Sequence, residues 1–220
     1  RDEPRNAGCA VEMLQRNDWV TPYFNGELRT HKPVLTYWLM MAAYSLFGVN
    51  EFSARFWSAV MGVGTTLCAY AIGRRLFTPA VGLWSALAVC TSLMFCIASR
   101  AATPDAGLIF FGTLSITTFV LGTFRPKSAH ETTEPPQTWR PGRYFPSWPV
   151  AALMYGFMGV AMLAKGPVGM VLPTAVIGMF LLLMRLPRAE KQKADATSQD
   201  AKNWSAWKVA SLFAAIVGLS

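Results

Sequence analysis

Charge is what this sequence has least of. Asp, Glu, Lys and Arg make up 15% of its 220 residues, where a soluble domain carries about a quarter. The shortage excludes little by itself. Its arrangement decides, because the 53% of hydrophobic residues come in long blocks and the charges sit between them. Cysteine is scarce as well, with four in the chain. Cys68, Cys90 and Cys96 fall inside apolar blocks and Cys9 in the first polar region. No pair has zinc-ligand spacing, which argues against a zinc site and a disulfide framework and for buried apolar roles. There is no phosphate-cradling glycine loop and no internal repeat. Arg1 to Arg5 lacks the basic stretch and apolar core of a signal peptide, and no initiator Met is present. The last apolar block runs only from about Trp207 to Ser220. The chain therefore reads as truncated at both ends, with a preceding membrane span expected.

What is abundant is apolar length. A bilayer core about 30 Å thick takes roughly 20 apolar helical residues to cross. Blocks from Ala54 to Gly73, Ala80 to Ala98 and Ala106 to Phe124 meet that length. Those from Trp148 to Ala164 and Val168 to Met184 are slightly short and rich in Gly and Pro, so they need neighbours to satisfy freed backbone groups. The expected fold is all-α: a polytopic transmembrane helical bundle of about six spans over 54–220, the last one cut off. Residues 1–53 form a first extracytoplasmic loop. In it, Asn6 to Arg16 suits an amphipathic helix. Pro33 to Phe47, with Tyr37, Trp38, Tyr44 and Phe47, suits a second juxtamembrane helix at the membrane–water interface. The loop from Trp19 to Lys32 joins them.

The formal charge of +8 matters for its placement. Short loops rich in Lys and Arg stay cytoplasmic. Arg74 and Arg75, the 125–147 loop and the 185–207 loop carry most of the cations, and they alternate with two poorer loops, Ser99 to Asp105 and Lys165 to Pro167. The alternation puts the three basic loops in the cytoplasm. The first 53 residues, Asp105 and Lys165 fall on the opposite side, the periplasm in a bacterium. The scattered cations read as topology and attraction to anionic membrane lipids, with no fold around them to bind nucleic acid. The loop from Lys127 to Pro149, rich in Pro, Thr and Glu, reads as a flexible linker.

Six charged residues converge on the extracytoplasmic side: Asp2, Glu3, Lys32, Arg100, Asp105 and Lys165. Asp2 and Glu3, beside Arg5, read either as an acidic pair favoured by a helix dipole or as a catalytic pair. In the second case one is a general base for an acceptor hydroxyl and the other positions it or binds a metal. Asp105 reads either as an ion-pair partner of Arg100 or as a functional carboxylate. Lys32 either snorkels to headgroups or holds a phosphate. Lys165 either meets an anion or only marks a turn. Together, carboxylates and cations at a membrane face suit transfer chemistry on a lipid phosphate, the cations stabilising the leaving group. Two function classes follow. One is a transferase; the other is a transporter or flippase for an anionic lipid-linked substrate, which needs the cations but no base. A scaffold leaves the pattern of residues 2–55 unexplained. Covalent movement of a sugar separates the first two.

That pattern is Asp2-Glu3-Pro4-Arg5, Glu12-Met13-Leu14, Asp18-Trp19-Val20-Thr21-Pro22, Asn25-Gly26, Lys32-Pro33, Tyr37-Trp38, Phe47-Gly48 and Phe52-Ser53-Ala54-Arg55. It resembles the first extracytoplasmic loop of C-type membrane glycosyltransferases. The likeness is greatest to bacterial transferases of 4-amino-4-deoxy-L-arabinose to lipid A, and protein O-mannosyltransferases are more distant. Arg100 with Asp105 and the Lys165-Gly166-Pro167 turn also fit. The resemblance implies about a dozen transmembrane helices and inverting transfer of a sugar from a polyprenyl-phosphate donor to a lipid or glycan acceptor. It implies catalytic roles for Asp2, Glu3 and Asp105, and substrate-binding roles for Arg5, Lys32, Arg100 and Lys165. The chain departs from it at His31, where relatives carry an acidic residue before the Lys, and at Val34, where they carry a second proline. No cofactor is fixed; His31 is the candidate ligand for a divalent metal.

Overall fold

The computed structural model describes residues 3–29, 32–124 and 146–185. The sixth span, most of the 125–147 loop and nearly all of the 185–207 loop lie outside the described residues, as do Asp2 and His31.

The fold begins with α1 (Glu3–Arg16), a hairpin of β1 (Tyr23–Phe24) and β2 (Glu27–Leu28), and α2 (Leu35–Phe47). On α1 the buried residues are Asn6, Cys9, Ala10 and Met13, a single stripe at helical spacing. The stripe packs on Tyr37, Met40, Met41 and Tyr44 of α2 and on Ala54 and Ala102. Burial pushes the Cys9 thiol up against an opposing pull from Arg29, which keeps it an inert packing group. Pro33 lies just ahead of α2, whose N-cap is Val34.

The spans are α3 (Glu51–Leu76), the pair α4 (Pro79–Thr91) and α5 (Leu93–Arg100), α6 (Asp105–Thr123), α7 (Trp148–Lys165) and α8 (Val168–Arg185). Their starts have local causes. Asn50 caps α3 by accepting from the Ser53 N–H at 2.8 Å. Thr78 caps α4, with Pro79 in its first turn, where the missing N–H costs nothing. Gly166, at φ 80°, ends α7. α3, α6 and α7 are each long and apolar enough to cross a membrane, and the α4–α5 pair makes a fourth crossing if counted as one. α8 is shorter in its apolar part and carries Pro173 inside it. The chain is a helical, multi-pass membrane protein.

The second span is not the straight helix that its apolar run suggests. It breaks at Ser92, whose φ of −65° and ψ of 118° are extended, and α5 leaves at 66° to α4. Within the bundle, α6 packs along α7 and α3, and α8 against α7 and α6. Phe119, Val120, Met154, Met158 and Ile177 fill the α6–α7–α8 core. Ser115 Oγ donates across it to the Met154 carbonyl at 3.1 Å. α3 crosses α4 at Gly73 and Gly82, where a Cβ on Gly73 would lie 2.8 Å from the Gly82 Cα.

Candidate active site

The site stands where α1, the start of α3, the 101–104 turn and the α6–α7 hairpin meet. Each contribution has a reason in the chain. α6 begins and α7 ends here, because consecutive spans run antiparallel. Asp105 is the first residue of α6 and Lys165 the last of α7, so each charge opposes the helix dipole at its own terminus and the two meet as an ion pair. Both stay partly exposed, so the pair is open to a third, charged partner. Asp105 thus pairs with Lys165 rather than with Arg100, its near neighbour in sequence. Arg100 ends α5 with its side chain exposed.

Glu3 opens α1, and its carboxylate is already bonded. Its carboxylate accepts from Arg55 Nε at 2.6 Å and from the Ala102 N–H at 3.1 Å. Burial alone would raise the Glu3 carboxyl. The Arg55 and Ala102 hydrogen bonds and the Arg55 charge outweigh it and hold the group below its ordinary range. One turn on, Asn6 Nδ2 donates to the Ala102 carbonyl at 3.1 Å. Glu3 is therefore brought within three residues of Asp105 along the chain, and Asp2 directly precedes it. Arg5 is exposed and lies about 200° around α1 from Glu3. Lys32 is half-buried in the segment that leads into α2. Beneath the Asp105–Lys165 pair lies a small cavity between α2, α3, α6 and α7, lined by Thr36, Trp57, Ser58, Thr103, Gly107 and Ala164 among others. Among the described residues, no three His, Cys, Asp or Glu side chains gather to hold a metal.

Much of the first-loop pattern builds the loop. Asn25 and Gly26, at φ 53° and 79°, form the tight turn of the hairpin. Glu12 holds that turn by accepting from the Asn25 N–H at 2.6 Å. Asp18 accepts from the N–H groups of Val20 and Thr21, which lowers its carboxyl. Trp38 Nε1 donates to the Trp19 carbonyl at 2.6 Å. Sequence reasoning missed Asn6 and Arg55 as members of the site. Asn6 left one signal, a polar side chain on the apolar stripe of α1.

Comparison with known proteins agrees with this architecture. Residues 31–129 match the family described as dolichyl-phosphate-mannose-protein mannosyltransferase. An uncharacterized protein of Aquifex aeolicus is 35% identical over 183 residues, 83% of this chain and 32% of its own length. An undecaprenyl phosphate-alpha-4-amino-4-deoxy-L-arabinose arabinosyl transferase of Pseudomonas paraeruginosa is 34% identical over 116 residues, 52% of this chain and 21% of its own. The crystal structure of ArnT from Cupriavidus metallidurans bound to undecaprenyl phosphate superposes with a TM-score of 0.70 at 26% identity, over 83% of this chain and 31% of that one. The chain spans about a third or less of the length of these relatives. In sequence and in fold it is similar to the membrane glycosyltransferases of this group.

Proposed function

We propose that the whole protein is a membrane glycosyltransferase that moves a sugar from a polyprenyl-phosphate donor to a lipid or other extracytoplasmic acceptor, with inversion. The donor to test first is undecaprenyl-phosphate-linked 4-amino-4-deoxy-L-arabinose, which the name of the Pseudomonas relative carries, and the acceptor to test first is lipid A. The observation that carries the proposal is the junction of the α6 and α1 N-termini. An exposed Asp105–Lys165 pair there sits beside the turn that Glu3 grips.

In the reaction, an acceptor oxygen attacks the anomeric carbon of the sugar. The bond from that carbon to the phosphate oxygen breaks, and its electron pair leaves on the polyprenyl phosphate. Asp2 takes the acceptor proton, or orients an acceptor that is already anionic. Lys165, Lys32 and Arg100 offset the charge that grows on the leaving phosphate. Asp105 holds Lys165 in place for this task. Glu3, already bonded to Arg55 and Ala102, positions Asp2 and takes no proton. Arg5 reaches the donor from the exposed flank of α1, and a divalent metal, if used, is held through His31. The placement we propose is the bacterial inner membrane with this end periplasmic. It is supported by the basic residues Arg74 and Arg75 at the other end of α3.

The test is transfer by the whole protein and its Asp2→Asn variant, offered mixed polyprenyl-phosphate sugars, with products read by mass spectrometry. Covalently modified acceptor from the native protein and none from Asp2→Asn is the expected result. Unchanged transfer by Asp2→Asn, or movement of lipid without any new glycosidic bond, defeats the proposal.

A further inference from the structure

We propose that Asn6 is a positioning residue for sugar transfer: together with Glu3 it grips both polar groups of Ala102 and so fixes the start of α6 against the start of α1. This rests on the transferase function proposed above. Asn6 is 1% exposed and occupies the position on the α1 stripe that Cys9, Ala10 and Met13 fill with apolar atoms. Packing alone does not call for an amide there, because a buried polar group costs stability unless it is bonded. Its Oδ1 has no hydrogen-bond partner among the described residues, so even the bonded amide is only half satisfied. The gain that offsets this lies in where Nδ2 points, at a carbonyl 96 residues away in sequence.

Glu3 and Asn6 are one helical turn apart on one face of α1. One takes the Ala102 N–H and the other supplies the Ala102 C=O, at 3.1 Å each. Ala102 is fully buried, and only Thr103 and Pro104 separate it from Asp105. Asp2 adjoins one jaw of this grip and Asp105 the other side. Loss of the Asn6 bond lets the turn pivot on the Glu3 contact, which changes the spacing between Glu3 at the start of α1 and Asp105 at the start of α6 while each stays present.

Two variants of the whole protein test this, with the Asn6 donor removed in different ways. Asn6→Asp keeps the shape but turns a donor towards the carbonyl into an acceptor. Asn6→Leu fills the site with apolar atoms and folds if the charged variant does not. Both are expected to lower kcat about tenfold or more, with KM for the polyprenyl-phosphate donor changed less than about twofold, because misplaced groups slow the reaction without weakening donor binding. Amide hydrogen exchange at residues 101–103 is expected to rise in both. A lower melting temperature with unchanged kcat per folded molecule overturns the proposal, and so does unchanged exchange at Ala102. If the native protein moves no sugar, the transferase function fails separately, and the exchange measurement still decides the grip.

Discussion

The two ends of the bundle use cations in opposite ways. At one end Arg75 donates to the carbonyls of Phe124 at 2.6 Å and Leu121 at 2.9 Å. It closes the last turn of α6, where a cation belongs by the helix dipole. At the other end Arg55 and Lys165 take the carboxylates of Glu3 and Asp105. The described carboxylates, Glu3, Glu12, Asp18, Glu27, Glu51 and Asp105, all belong to this second end, either before or within the first turn of α3 or at the start of α6. A cation bonded to backbone carbonyls is used up by the fold. A cation bonded to a partly exposed carboxylate keeps donors free for a phosphate. The difference separates an end whose cation closes a helix from the end that holds the candidate site.

The sharpest way to break that contrast is at Asp105. Asp105→Asn in the whole protein is expected to cut transfer about a hundredfold or more, because in the proposed reaction Lys165 loses its anchor at the leaving phosphate. Steady-state kinetics with a polyprenyl-phosphate sugar measures it.

Next in size is the Glu3–Arg55 contact, through its pH dependence. The Glu3 carboxyl is held low in the folded protein. Its contribution is therefore complete above the unfolded-state value and is lost as pH falls through the lower folded value. The thermal midpoint of the native protein is expected to be flat near neutral pH and to drop in the acid range, more steeply than in Glu3→Gln. Equal slopes in the two proteins would show that the contact carries no stability.

At the opposite end, Arg75→Met is expected to cost about 1 kcal/mol of stability and to leave transfer per folded molecule unchanged. A loss of kcat there would erase the distinction between the ends. The smallest effect belongs to Trp38→Phe, which removes the bond to the Trp19 carbonyl. It is expected to cost about 0.5–1 kcal/mol, seen as faster proteolysis of the 17–29 loop, with kcat unaffected.

Apolar length made the spans legible. Blocks of residues set the limits of α3, α6, α7 and α8 to within a few residues, because a run that crosses lipid has little freedom of length. On α1 the apolar face of Ala10 and Met13 is legible, whereas the buried stripe also takes in Asn6 and Cys9. The break at Ser92 was not legible, since Thr91-Ser92-Leu93 contains neither Pro nor Gly and the run stays apolar through it. The strands of the hairpin are two residues each, too short for a pattern, although Asn25-Gly26 stands at its tip. For the site, sequence could gather charges on one side but not pair them. Asp105 lies five residues from Arg100, yet its partner is 60 residues away. Glu3 and Arg55 are 52 apart. Such partners are fixed by antiparallel packing of helices, which a local pattern does not encode.

The bend between α4 and α5 also sets a thickness. Thirteen residues of α4 rise about 20 Å, and eight residues of α5 inclined at 66° add about 5 Å more if α4 stands along the bilayer normal. That sum falls short of the roughly 30 Å of hydrocarbon that a straight span crosses. A short span is matched by thinning of the bilayer beside it, by snorkelling of flanking residues or by packing against neighbours. Where thinning makes the match, headgroups reach deeper on the flank where α5 leads to Asp105.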